Sequence, residues 1–140
     1  MAYTIAKVDV WVGGLVDRPG AVAEKLAPLA EAGAKLEFVL ARRDKAKKGL
    51  LFVAPLKGAK QAAAARKAGL KKGAGLAALR IEGPDKAGLG AGMSVALGEA
   101  GVNMRGISAM ALGRKSLFYL AFDKPQDAAK AKRVLAKALK

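Results

Sequence analysis

The sequence predicts an α+β protein made of two similar modules, each an antiparallel sheet with helices on one face. Three observations predict this fold class: an internal repeat, the order of strand and helix patterns within each copy, and enough apolar residues for two cores. The chain has 140 residues, of which 53% are apolar and 5% aromatic. This length holds two compact modules of about 70 residues each. We expect the modules to span residues 1–74 and 75–140.

The internal repeat is the first of these observations. Asp17–Gly33 aligns without gaps with Asp85–Gly101: the Asp, the Gly three residues later and the closing Glu-Ala-Gly coincide. Downstream, Lys48–Ala54 matches Lys115–Ala121 once one residue is removed from the preceding turn. Agreement in the same order across several segments indicates a duplication rather than a chance match in an Ala- and Lys-rich chain.

The first strand and helix of copy one follow from local patterns. Alternating valines at positions 8, 10 and 12 indicate a strand. Asp17 stands where an N-cap acceptor belongs, as Asp85 does in copy two, and Gly33 suits a left-handed residue after the helix. Pro28 conflicts with an uninterrupted helix, so we expect a kink or an early end there.

The remaining patterns complete a βαββαβ order, which predicts ferredoxin-like modules. Copy two reaches the end of the chain after its second helix, so it either lacks a closing strand or borrows one. The expected elements are strands near 36–42 and 49–55 around a turn at 42–48, a helix near 58–69 and a closing strand near 70–75, then a strand near 76–82, a helix ending at Gly101, strands near 103–111 and 116–122, and a helix near 125–139.

The absence of histidine and cysteine restricts the chemistry. Without them the chain lacks the usual general base, a thiol nucleophile and the commonest metal ligands. Ser94, Ser108 and Ser116 lie in no recognisable nucleophile motif. We therefore expect a protein that is not an enzyme and that holds no metal or cofactor. The N-terminus has no signal-peptide pattern and no apolar run is long enough for a membrane span, so we expect a cytoplasmic protein.

Two short motifs resemble those of ACT domains. Asp17-Arg-Pro-Gly20, placed between a strand and a helix that closes with Glu-Ala-Gly, resembles the family's first loop. Gly101-Val-Asn-Met-Arg-Gly-Ile-Ser108 resembles its entry into the second strand. The resemblance covers nearly the whole chain, twice. It implies a βαββαβ fold, side-by-side or face-to-face pairing of domains, a homodimer, an amino acid bound near the paired interface, and a regulated partner protein.

The resemblance also implies where the ligand binds: the loop before the first helix and the start of the second strand. A helix N-terminus suits a ligand carboxylate, Asp85 an ammonium group, and the Asn103 amide either end. Lys35 replaces that Asn in copy one, so we expect the working site in copy two. The alternative is that Asp85 is only an N-cap and Asn103 only a turn residue. The implied ligand-binding residues are Asp85, Ala87, Gly88, Leu89, Val102, Asn103 and Met104 in copy two, and Asp17, Gly20 and Ala21, with residues 34–36, in copy one.

An RNA-recognition module is the alternative function, because it has the same element order. Lys48–Val53 partly matches the RNP1 pattern. Trp11 and Phe52 would then stack on bases from neighbouring strands, with Tyr119 as the counterpart in copy two. The net charge of +15 attracts polyanions whether or not they are ligands. Against this reading, Leu50 occupies an RNP1 position that requires an aromatic residue.

Overall fold

The computed structural model describes residues 2–73 and 75–140 and contains two four-stranded antiparallel sheets with four α-helices. The chain divides into two compact units, one formed by the segment that begins at Asp9 and one formed by the first strand with Gly75–Lys140. We call them module 1 and module 2. The elements in chain order are β1 (Thr4–Val8), β2 (Trp11–Val16), α1 (Ala21–Glu31), β3 (Phe38–Lys45), β4 (Lys48–Ala54), α2 (Gly58–Lys67), β5 (Lys71–Lys72), β6 (Ala77–Pro84), α3 (Leu89–Glu99), β7 (Gly106–Leu112), β8 (Lys115–Phe122) and α4 (Pro125–Ala138).

Module 1 has the predicted βαββαβ order. Its sheet runs β3-β4-β2-β5, with every neighbouring pair antiparallel. The closing strand β5 is only two residues long and lies within the predicted range, where it pairs with the start of β2. The fold class predicted from the repeat is therefore confirmed in this module.

Module 2 has the same sheet order, but its closing strand comes from the beginning of the chain. Its sheet runs β1-β6-β8-β7, and β1 pairs antiparallel with β6 from Thr4 opposite Glu82 to Val8 opposite Ala78. The valine alternation that suggested one strand is thus divided between β1 and β2. The structure answers the question left open by the sequence, because module 2 borrows a strand. It also differs from a simple division at residue 74, since β1 lies with the later residues.

Each module buries its own core between the sheet and its two helices. In both modules alternate side chains of the two central strands point toward the helices, as the period of two requires. The core of module 2 contains Tyr3, Leu79, Ile81, Met93, Leu97, Val102, Phe118, Leu120, Phe122, Ala128, Ala131 and Leu135. The core of module 1 contains Trp11, Leu29, Leu51, Val53, Ala65 and Leu70.

The first helices of the two modules begin and end alike. Both end as predicted, on a glycine with positive φ: 83° at Gly33 and 75° at Gly101. Both begin differently from the prediction. The N-cap is Gly20 or Gly88, also left-handed, and no side chain caps the helix. The N-cap role expected for the aspartates is therefore wrong, because each precedes the N-cap by three residues.

Pro28 does not end α1. The helix continues to Glu31, and the N–H of Ala32 still donates to the Pro28 carbonyl oxygen at 3.1 Å. Proline removes only the hydrogen bond that its own N–H would have made to the carbonyl of Glu24. Because Glu24 is exposed, solvent can satisfy that carbonyl. The early end expected at Pro28 is therefore wrong.

The two hairpins explain why the repeat needs a one-residue gap. The predicted 42–48 turn is shorter, because β3 continues to Lys45 and only two residues form the turn. The register of β3 against β4 shifts between Arg43 and Lys45, which makes Asp44 the extra residue of a β-bulge. The β7–β8 hairpin keeps one register throughout. The inserted residue therefore lies in strand β3 and not in the turn.

Candidate functional site

The loops that precede α1 and α3 are the sites implied by the sequence, and their backbones match. The N–H of Asp17 donates to the Lys47 carbonyl at 3.0 Å, and the N–H of Asp85 donates to the Arg114 carbonyl at 2.8 Å. Each loop is thereby attached to the tip of the hairpin beside it. The left-handed glycine then turns the chain into the helix, so that the first helical N–H groups face out of the loop.

In module 1 the polar side chains of this loop bind one another. Arg43 Nε donates to Asp17 Oδ2 at 2.6 Å. Arg18 Nη2 donates to both carboxylate oxygens of Glu24, each at 2.7 Å. Asp17, which the resemblance places among the ligand-binding residues, therefore already faces a cation of its own module.

In module 2 the corresponding loop is open. Ala111 stands where module 1 has Arg43, so no guanidinium reaches the aspartate. Asp85, Ala87 and Gly88 are exposed and Leu89 is half-buried. Among residues 2–73 and 75–140 the Asp85 carboxylate has no hydrogen-bond or ion-pair partner.

The first turn of α3 supplies the backbone donors that the sequence analysis expected at a helix N-terminus, from two residues that it did not name. The N–H of Leu89 donates to Lys86 O and that of Gly92 to Gly88 O. Within the described part of the chain this leaves the N–H groups of Gly90 and Ala91 without a backbone acceptor. They lie at the positive end of the helix dipole, where a carboxylate is stabilised. The glycines at 88 and 90, which leave the backbone uncovered, were the signal in the sequence.

Module 1 has a groove beside its own loop, of about 390 Å³. Its floor is the end of β2 and the start of β4, and its wall is the first turn of α1. Lys25 and Lys48 bring positive charge to it, and Glu24 and Asp44 negative charge. Of the implied module 1 residues, Ala21 lines this groove. The contribution of β4 was not foreseen, because strand pairing between distant segments brings it there.

The second implied segment, residues 102–104, lies away from the first. The Val102 side chain is 6% exposed and belongs to the core, Met104 packs against that core, and Asn103 is exposed. The 11-residue helix α3 separates this segment from the loop at Asp85. An α-helix of that length spans about 16 Å. One small ligand therefore cannot contact both segments within a single module.

The aromatic residues do not form the surface that an RNA-recognition module needs. Trp11 is 3% exposed and lies opposite Val53 on the helix-covered face. Phe52 lies opposite Val12 on the other face, under the guanidinium of Arg42. Tyr119 is 5% exposed. Base stacking by this set of aromatics is therefore wrong, because the two on neighbouring strands point in opposite directions.

No helix among the described residues is long and apolar enough to cross a membrane. No group of three or more acidic side chains in the same part of the chain is placed to hold a metal ion.

Solved structures share this fold. No protein-family model matches the sequence, and no curated protein matches it either. A protein from Bacteroides thetaiotaomicron has a TM-score of 0.79 at 17% identity, over 95% of this chain and 89% of that one. The regulatory subunit of aspartate kinase from Thermus thermophilus, in its ligand-free form, has a TM-score of 0.68 at 17% identity, over 100% and 98%. The same subunit from Thermus flavus has 0.63 at 18% identity, over 100% and 98%.

The fold defines the class: two antiparallel sheets with the same strand order, each covered by two helices. The chain shares this fold with those regulatory subunits over nearly their whole length, 98% in both cases.

Proposed function

We propose that the chain is a non-catalytic regulatory protein that binds an amino acid at the loop before α3. The observation that carries the proposal is the unpaired Asp85 carboxylate beside the free N–H groups of Gly90 and Ala91. An amino acid has an ammonium group and a carboxylate on one carbon, and this loop offers the opposite partner for each. The likeness to aspartate kinase regulatory subunits supports a regulatory role exerted through a partner protein.

A second copy of the chain would bring its residues 102–104 to the Asp85 loop, from which α3 separates this segment within one module. Leu112 pairs with Lys115 and Lys115 with Pro84, so the last residue of β7 and the Asp85 loop lie at the same end of the strands. If β7 pairs antiparallel with the β7 of a second copy, the first residues of the partner strand come to that same end. The partner's Asn103 would then reach the Asp85 loop, and each ligand would be held by both copies.

The exposed edge of β7 favours this pairing. Ile107, Met110 and Leu112 are 48%, 66% and 81% exposed, on a strand without a bulge. A flat apolar edge strand readily adds another strand. The equivalent edge β3 carries several charged residues and the bulge at Asp44, both of which oppose such pairing. We therefore propose a homodimer formed through module 2.

A thermal-shift screen against the twenty amino acids tests the proposed function. Ligand at about 100 times its Kd stabilises the folded state by roughly 2.7 kcal/mol, which shifts the melting temperature measurably. We expect one amino acid or a small group of them to raise it. Asn103→Ala should abolish the shift, whereas Lys35→Ala, at the equivalent exposed position of module 1, should leave it intact. No shift with any amino acid would overturn the proposal.

A further inference from the structure

A second surface of the molecule is unrelated to the ligand loop. From position 45 to position 81 the sequence has 10 basic residues and no acidic one. Six of these basic residues are exposed on or beside α2 and β5. We call the five that lie on the helix-covered side the basic face: Lys57, Lys60, Arg66, Lys67 and Lys72. The sixth, Lys71, pairs with Val12 and points to the other side of the sheet.

The cations of the basic face are arranged along one helix and the adjacent edge strand. Lys60 and Lys67 are seven residues apart, hence on the same side of α2 and about 10 Å from each other along the axis. The Arg66 guanidinium lies 5.5 Å from the centre of the Trp11 ring, which holds that side chain in place. None of these cations has a carboxylate within 4.0 Å among the described residues. Glu24 and Glu31 line a groove with Lys60 and Lys67 but form no ion pair with them, so the charge of the face is available to a partner.

The remainder of α2 shows which kind of partner fits. Its only buried residue is Ala65, and its exposed residues are Gly58, Ala59, Lys60, Ala63, Arg66 and Lys67. Protein interfaces are depleted in Lys and rich in aromatic residues, Met and Arg, and of these α2 exposes only Arg66. A helix that binds membranes needs large apolar side chains on its lipid-facing side, which are also missing from α2. Stacking on single-stranded bases requires exposed aromatic residues.

We propose that the basic face binds the phosphate backbone of a double-stranded nucleic acid without reading its sequence. Flexible lysines without apolar neighbours suit phosphates, because contact with the backbone needs only charge and hydrogen-bond donors. The short edge strand β5 extends the face beyond α2: Lys72 pairs with Trp11 and therefore lies on the helix-covered side. This activity is separate from amino-acid binding, because the basic face belongs to module 1 and the proposed ligand loop to module 2.

Helix α4 of module 2 provides a matched control. It is also exposed and basic, with Lys130 and Lys137 at the same seven-residue spacing. Acidic residues interrupt its charge, since Asp127 lies in its first turn and Asp123 directly precedes it. Removing two lysines from either helix lowers the net charge from +15 to +13, so long-range attraction changes equally. Alanine is the best helix former, so neither helix should lose stability.

The test is fluorescence anisotropy with 20-base-pair DNA duplexes of two unrelated sequences, across a series of salt concentrations. The full chain should bind both duplexes equally, and log K should fall with log salt at a slope of about −4.5 if all five cations of the basic face contact phosphates. Lys60→Ala/Lys67→Ala should weaken binding about tenfold at low salt and reduce the slope by about 2. Lys130→Ala/Lys137→Ala should weaken binding less than twofold.

Three results would overturn the proposal. Equal losses in the two double variants would show that net charge alone attracts the duplex. Binding to poly-glutamate or to phosphatidylserine vesicles, with no binding to the duplexes, would identify a different class of partner. No binding of duplex DNA at 50 mM salt would exclude a nucleic-acid surface. Circular dichroism of both double variants confirms that the comparison is made between folded proteins.

Discussion

The loops at Asp17 and Asp85 have the same backbone and opposite chemistry. Both are fixed to a hairpin tip by one backbone hydrogen bond, and both enter a helix through a left-handed glycine. In module 1, Arg43 pairs with the aspartate, whereas in module 2 an alanine stands at that position. The comparison shows that the same backbone scaffold holds a paired carboxylate in one module and an unpaired one in the other.

The hairpins beside these loops differ in the same direction. The β3–β4 hairpin is charged and bulged, which protects its edge and supplies Arg43. The β7–β8 hairpin is regular, and its edge strand is apolar. One edge is therefore suited to remain in solvent and the other to pair. We infer that binding and self-association belong to module 2, and that module 1 serves another purpose.

The largest expected effect is on the stability of module 2 and comes from substituting Tyr3, which precedes β1. The Tyr3 ring packs against Gly83, and its hydroxyl donates to the Pro84 carbonyl at 2.8 Å. Tyr3→Ala should destabilise module 2 by about 3 kcal/mol through the cavity it leaves. Tyr3→Phe, which removes only the hydrogen bond, should cost about 1 kcal/mol.

Native-state hydrogen exchange measures this effect strand by strand. In Tyr3→Ala the amides of β6 and β8 should exchange faster, while those of β4 keep their protection. Equal loss of protection in β4 would show that β1 stabilises both modules and not module 2 alone.

The next effect concerns the two edge strands. Val39 and Ile107 occupy equivalent positions on β3 and β7 and are 46% and 48% exposed. A charge inserted in a pairing edge opposes strand addition. Ile107→Lys should therefore raise the dissociation constant of the homodimer at least about tenfold, or 1.4 kcal/mol. Val39→Lys should leave it unchanged. Sedimentation velocity over a concentration series reports both values, and a larger effect of Val39→Lys would assign the interface to module 1.

The smallest expected effect concerns the Arg43–Asp17 ion pair. The two side chains are 73% and 37% exposed, so solvent screens their attraction. Arg43→Ala should lower the free energy of unfolding by less than about 1 kcal/mol, and the loss should shrink further at high salt. Urea unfolding at two salt concentrations measures it. A decrease in the free energy of unfolding above 2 kcal/mol would mean that the ion pair stabilises the folded loop, and does not merely occupy the Asp17 carboxylate.

Local patterns in the sequence predicted most of the fold but not the pairing of distant segments. The repeat and the alternation of apolar residues located the helices and most strands. The assignment of β1 to module 2 depends on pairing with residues 70 to 78 positions away, which no local pattern records. The bulge at Asp44 and the Arg43–Asp17 pair were missed for the same reason. The resemblance suggested Asp85 and Asn103 as ligand-binding residues, but their separation by α3 is visible only in the structure.

The central claim is that the ligand binds at the Asp85 loop and not at the Asp17 loop. Isothermal titration with the amino acid that gives the largest thermal shift tests it most directly, using Asp85→Asn and Asp17→Asn as a matched pair. We predict one site per chain in the wild type, loss of binding in Asp85→Asn and unchanged affinity in Asp17→Asn. Retained binding in Asp85→Asn together with loss in Asp17→Asn would contradict the account.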